Sequence, residues 1–100
     1  MPAEITPSTW MEHIGKEFAV LDNPSALFSL TLTHVVEHVN SEQHQAFSLL
    51  FRGPREFRLS QGIHKLKQAQ MDELEIFLVP VGQDKDGFEY EAVFNRILQS

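Results

Sequence analysis

The chain has 100 residues, 42% of them hydrophobic and 22% charged, with a formal net charge of −6 and no cysteine. One domain spanning 1–100 with one core suits this length, and the composition excludes a disordered chain. The missing Cys excludes disulfides and thiolate metal sites, the acidity argues against bulk nucleic-acid binding, and no apolar run approaches a membrane span.

The first element reads as a two-turn helix. Thr6 can cap its N-terminus, Pro7 occupies the first helical position, and Trp10, Met11 and Ile14 fall at helical spacing before a Gly15 stop. Alternation then replaces the helical period. Phe18 and Val20 mark a short strand, and Asp22-Asn23-Pro24-Ser25 a turn. From Leu27 to Val39, Phe28, Leu30 and Leu32 share one face while Ser29, Thr31 and Thr33 share the other, as in a half-buried strand. Residues 40–44 form a polar turn.

Ala46 to Arg52 is the next strand, with Phe47, Leu49 and Phe51 inward and Gly53-Pro54 as its end. Phe57 and Leu59, alternating with Arg58 and Ser60, suggest that a strand restarts there. Gln61-Gly62 would be a bulge in it, and Ile63 to Gln68 its continuation. Leu74 to Val81 is an almost continuous apolar run, the pattern of a strand buried on both faces, with Pro80 at its end or at an unpaired position. Asp86-Gly87 closes a hairpin loop over 83–87. In the last strand, Phe88, Tyr90, Ala92 and Phe94 face inward and Glu89, Glu91 and Asn95 outward. The connections are too short for helical crossovers. The expected fold is therefore mainly all-β, a small antiparallel barrel or sandwich of about six strands with one short N-terminal helix.

Charge is arranged in three blocks. Residues 1–51 carry a net of −5, residues 52–67 a net of +4, and residues 68–100 a net of −5. The basic block holds Arg52, Arg55, Arg58, Lys65 and Lys67. One reading is internal: Arg58, Lys65 and Lys67 pair with Glu75, Glu89 or Glu91 on neighbouring strands. The other makes these five residues a patch that steers an acidic partner surface, or a second copy of the chain, into place.

Four segments in order, Phe47-Ser48-Leu49-Leu50-Phe51-Arg52-Gly53-Pro54, Leu59-Ser60-Gln61-Gly62, Ile76-Phe77-Leu78-Val79-Pro80-Val81-Gly82 and Tyr90-Glu91-Ala92-Val93-Phe94-Asn95, carry a resemblance. Together they resemble a family of uncharacterised bacterial proteins of about this length, grouped as a domain of unknown function. The resemblance implies no activity. It implies an association with phage-tail-like genes. Where that family has Tyr after the Gln-Gly pair, this chain has Ile63-His64. The segments also read as fold determinants, with Gly and Pro as backbone punctuation and Phe77, Tyr90 and Phe94 as core.

Catalytic and metal constellations are sparse. His34 and His38 lie four apart, which on a strand separates them by about 13 Å, too far to share one ion. Their bland reading is solvent-facing or hydrogen-bonded histidine, and His64, if in the core, needs a hydrogen-bond partner. Asp84-Lys85-Asp86-Gly87 has too few acids for a calcium loop. Glu89 and Glu91 stand about 6.6 Å apart, a separation any strand gives to two outward carboxylates. No nucleophile elbow, P-loop or zinc-protease motif is present.

The expectation is a non-enzymatic interaction or assembly protein without catalytic residues, metal or cofactor. It would act with a protein partner or by self-association, as an accessory of a phage-tail-like or secreted particle. Two alternatives stay open: a small-ligand-binding barrel lined by Thr31, Thr33, His34 and aromatics, and a hydrolase or isomerase whose site is assembled only in space. Met1-Pro2-Ala3-Glu4 has neither a basic nor an apolar leader segment, so a cytoplasmic protein with no membrane partner is expected.

Overall fold

A computed structural model describes residues 6–22, 28–71 and 73–97. Helix α1 (Pro7–Met11) is followed by strands β1 (Glu17–Val20), β2 (Phe28–Asn40), β3 (His44–Pro54), β4 (Gly62–Lys67), β5 (Leu74–Asp84) and β6 (Gly87–Ile97). The strands close into a barrel in the order β1-β2-β3-β6-β5-β4, and every neighbouring pair is antiparallel. The barrel reading is the observed one of the two expected architectures.

Alternation decides what fills the interior. Phe18 and Val20, Leu30 and Leu32, Phe47, Leu49 and Phe51, Ile76 and Leu78, and Tyr90 and Ala92 are all buried. Each set follows the two-residue period of its strand, so one face of every strand supplies the core. Phe18 meets Phe51 edge to face at 5.5 Å, and Phe47 stacks on Phe94 at 5.0 Å. Each large apolar side chain buried in this way contributes about 1.5–3 kcal/mol.

The two ends are closed differently. α1 covers one end. Thr6 caps it, accepting from the Thr9 N–H, but the helix is one turn shorter than its sequence period suggests. Only Trp10 of the three spaced apolar residues is buried; Met11 and Ile14 are exposed. The Trp10 ring lies 5.8 Å from Phe18 and 6.3 Å from Phe94, so one indole anchors the helix. The chain leaves through Gly15, whose φ of 89° is costly for any other residue type.

Residues 55–61 cross the other end. β3 and β4 are not neighbours, so the chain must pass over the barrel mouth between them. The strand expected from Phe57 to Ser60 is therefore absent; this stretch is a strap, and β4 starts only at Gly62. Its main chain is satisfied without a ladder. The Leu59 N–H donates to the buried Tyr90 hydroxyl at 2.9 Å, and the Leu59 side chain plugs the mouth. Phe57 stacks on Phe28 at 5.1 Å.

Three other expectations change. Strand β3 runs through Gly53 and Pro54 instead of stopping before them, paired as Gly53↔Phe88 and Pro54↔Gly87. Gly87 tolerates no side chain there, because a Cβ would strike the Gly53 carbonyl oxygen. Strand β5 is not buried on both faces: Ile76 and Leu78 point in, while Phe77 points out and is 50% exposed. Pro80 lies inside β5, paired with Tyr90 just before the register shift to Gly82 and beyond the last β4 pair at Leu78, so no β4 residue is paired with it. The turn expected at 22–25 lies mostly outside the described residues.

Candidate functional site

The five basic residues of the sequence block are not brought together. Arg52 is on the outer face of β3, opposite Glu89, but its Nη2 donates to Asp84 Oδ1 at 2.7 Å. Asp84 also accepts from the N–H groups of Asp86 and Gly87, making it the hub of the β5–β6 turn. The hydrogen bond from Arg52, with those N–H groups, holds the Asp84 carboxyl below its ordinary range; the same bond raises Arg52. Arg55 donates to the Lys85 carbonyl, and Arg58 lies exposed in the strap. Lys65 and Lys67 project from β4, opposite Glu75 and Ala19 respectively. Ladder pairing of Lys65 with Glu75 matches the internal reading, yet no salt bridge joins them among the described residues.

Histidines serve the scaffold. His64 lies at the strapped end, where its Nε2–H donates to the Ser60 carbonyl at 2.7 Å. Asp22 Oδ2 stands 3.3 Å from its Nδ1, at ion-pair distance but outside hydrogen-bond alignment. With Nε2–H committed to a carbonyl, the other ring nitrogen, Nδ1, is buried without a hydrogen-bond partner among the described residues. The sequence requirement that a core His64 find a partner is met by the strap itself.

His34 and His38 both line the exposed part of β2, flanked by register shifts at Leu32/His34 and Glu37/Val39. Thr33 Oγ donates to the Leu50 carbonyl, so it accepts from His34 Nδ1 at 3.0 Å. His38 Nε2 bonds the Ser48 hydroxyl at 2.8 Å, and His44 Nε2–H donates to Asn95 Oδ1 at 2.6 Å. Thr31, Thr33 and His34, the expected cavity lining, stand on the wall outside the packed interior; Thr31 and Thr33 are half-buried and His34 is exposed. Among the described residues, no three His, Asp or Glu side chains gather in a form that holds a metal ion. Nor is any described helix long and apolar enough to cross a membrane.

Three buried nitrogens have no hydrogen-bond partner among the described residues: Trp10 Nε1, His13 Nε2 and His64 Nδ1. His13 Nδ1–H donates to the Thr9 carbonyl, and its ring rests 6.4 Å from Phe18. Trp10, within α1, and His13, just past its end, both pack their rings against Phe18 of the barrel core.

Sequence reasoning missed the outer apolar face. Ile63 of β4 is 65% exposed, and Val93 of β6 is 61% exposed. Phe77 lies between these strands on β5, directly opposite Ile63, with Val79 and half-exposed Val81 further along the same strand. Lys65 and Glu75 border this face on one side and Glu91 on the other. The signal was present in parity. Phe77 is odd-numbered, like the outward Glu75, and the buried Ile76 and Leu78 are even.

These features define a closed six-stranded antiparallel barrel with a filled interior and an apolar, charge-bordered outer wall. The family model described as Domain of unknown function (DUF6916) matches residues 5–94. The chain belongs to that family. No curated protein and no solved structure matches it.

Proposed function

We propose that this protein is a non-enzymatic interaction or assembly module whose contact surface is the outer wall of β4, β5 and β6. One observation carries the reading: Phe77, Ile63 and Val93 hold large apolar area in water on a barrel whose inward positions are already filled. Exposed apolar residues grouped on one wall and bordered by charge mark a protein contact, because leaving them hydrated forgoes burial energy that the fold gains nothing by losing. The histidines and the hydroxyls beside them are engaged in bonds that hold the scaffold, which leaves the wall as the feature without a structural use.

The setting we propose is an accessory role in a phage-tail-like or secreted particle, in keeping with the gene association implied by the family resemblance. The test is capture of partners from the host cell with tagged wild-type protein and with Phe77→Asp. A partner held by the wild type and lost by the variant supports the reading. An identical set of captured proteins from both removes it.

A further inference from the structure

We infer that the wall centred on Phe77 docks a second copy of this chain, face to face, in a two-fold dimer. The inference rests on the interaction reading above and names its partner. It follows from where three unpaired charges stand. The ladder places Ile63 opposite Phe77, Lys65 opposite Glu75, and Val79 opposite Glu91. Lys65 is therefore one strand to one side of Phe77 and two residues along; Glu91 is one strand to the other side and two residues back. At ordinary strand spacing each stands about 8 Å from Phe77, diagonally across it. The side chains of Lys65, Glu75 and Glu91 make no salt bridge or hydrogen bond among the described residues.

A face with opposite charges at the two ends of a diagonal and an aromatic ring at its centre is complementary to itself. A two-fold axis through Phe77, lying in the interface and perpendicular to that diagonal, carries Lys65 of one protomer over Glu91 of its partner, and the reverse. Phe77 meets Phe77 on the axis, and Ile63 swings over the Phe77–Val79 stretch of the other copy. The strands of the two walls then cross at roughly right angles, one of the two ordinary ways for sheets to stack. Glu75 arrives beside Lys65, so each end of the diagonal holds one cation between two carboxylates. An unrelated acidic or basic partner would leave one end of the diagonal facing like charge, which is why a second copy fits best.

The experiment is analytical ultracentrifugation of the full chain from about 1 to 300 µM, the range in which a dimer of modest contact area dissociates. The wild type is expected to show a concentration-dependent dimer, and Phe77→Asp to be monomeric throughout. Lys65→Glu gathers three carboxylates at each end of the diagonal and should weaken the dimer about tenfold or more. Glu91→Lys should weaken it less, since Glu75 still offsets one of the two cations. The double variant Lys65→Glu/Glu91→Lys recreates the pattern in reverse and should return the dimer to within about threefold of wild type. All three charge positions are on the barrel surface, and far-UV circular dichroism checks that each variant folds. A monomeric wild type, a dimer indifferent to Phe77→Asp, or a double variant no better than its singles overturns the inference. A monomeric wild type that still captures a partner through Phe77 would overturn the second copy alone and leave the interaction reading standing.

Discussion

Tyr90 shows how much one polar atom can hold in place. Its ring is fully buried in the barrel, and its hydroxyl is the acceptor for the Leu59 N–H where the strap crosses the mouth. Tyr90→Phe keeps the ring but strands that buried N–H, and should cost about 1–3 kcal/mol in a denaturant titration. Burial raises the phenol above its ordinary range. A raised folded value favours the protonated form, so stability is complete below about pH 10 and falls as pH climbs through the folded value. Tyr90→Phe should flatten that alkaline fall. Asp84 works in the opposite sense. Its lowered folded value means that its contribution is present above the ordinary carboxyl range near pH 4 and is lost as pH drops through the folded value. Asp84→Asn keeps an acceptor for the turn N–H groups but loses the Arg52 ion pair. Melting temperatures of variant and wild type should therefore separate at neutral pH and converge as pH falls below the ordinary carboxyl range and through the lowered folded value.

At the scale of elements, the strap and β5 explain what could and could not be read from the chain. The inward sets of β2, β3 and β6 were legible because each alternates cleanly, and Asp86-Gly87 marks its turn without ambiguity. Phe57 to Ser60 alternates equally well, yet forms no ladder. Its alternation reflects a chain lying across a barrel mouth with Leu59 down and Arg58 up, a pattern local periodicity cannot separate from a strand. In β5 an apolar residue at nearly every position reads as double-sided burial. In a closed barrel the outer face of every strand remains on the surface unless something covers it, so the same residues become an exposed wall. The face on Phe77 is thus hidden from sequence reasoning because it follows from closure, which is a property of the whole sheet. Capture with Phe77→Asp tests the wall as an element, and the charge swap tests its register against a copy of itself.

For the whole molecule, the six-strand count, the antiparallel pairing and the N-terminal helix were accessible, because turn signals and short connections limit the choices. The order β1-β2-β3-β6-β5-β4 was not. It depends on pairing β1 with β4 and β3 with β6, between segments far apart in sequence, and no local signal encodes which distant strand is the neighbour. The basic block likewise looked continuous along the chain, yet the topology distributes it over β3, the strap and β4.

Closure also leaves an uneven seam. Among the described residues, β3 and β6 share eleven ladder positions, whereas β1 and β4 meet at two, Ala19↔Lys67 and Val20↔Leu66, supplemented by the Leu21 N–H to the Lys65 carbonyl. A ring opens where it is least stitched. Native-state hydrogen exchange should find the amides of β1 and the β1-facing side of β4 exchanging through a low-energy local opening, while central β3 and β6 amides wait for global unfolding. Uniform protection around the ring would refute this. The barrel would then breathe as a hinged cuff, fastened by one short clasp.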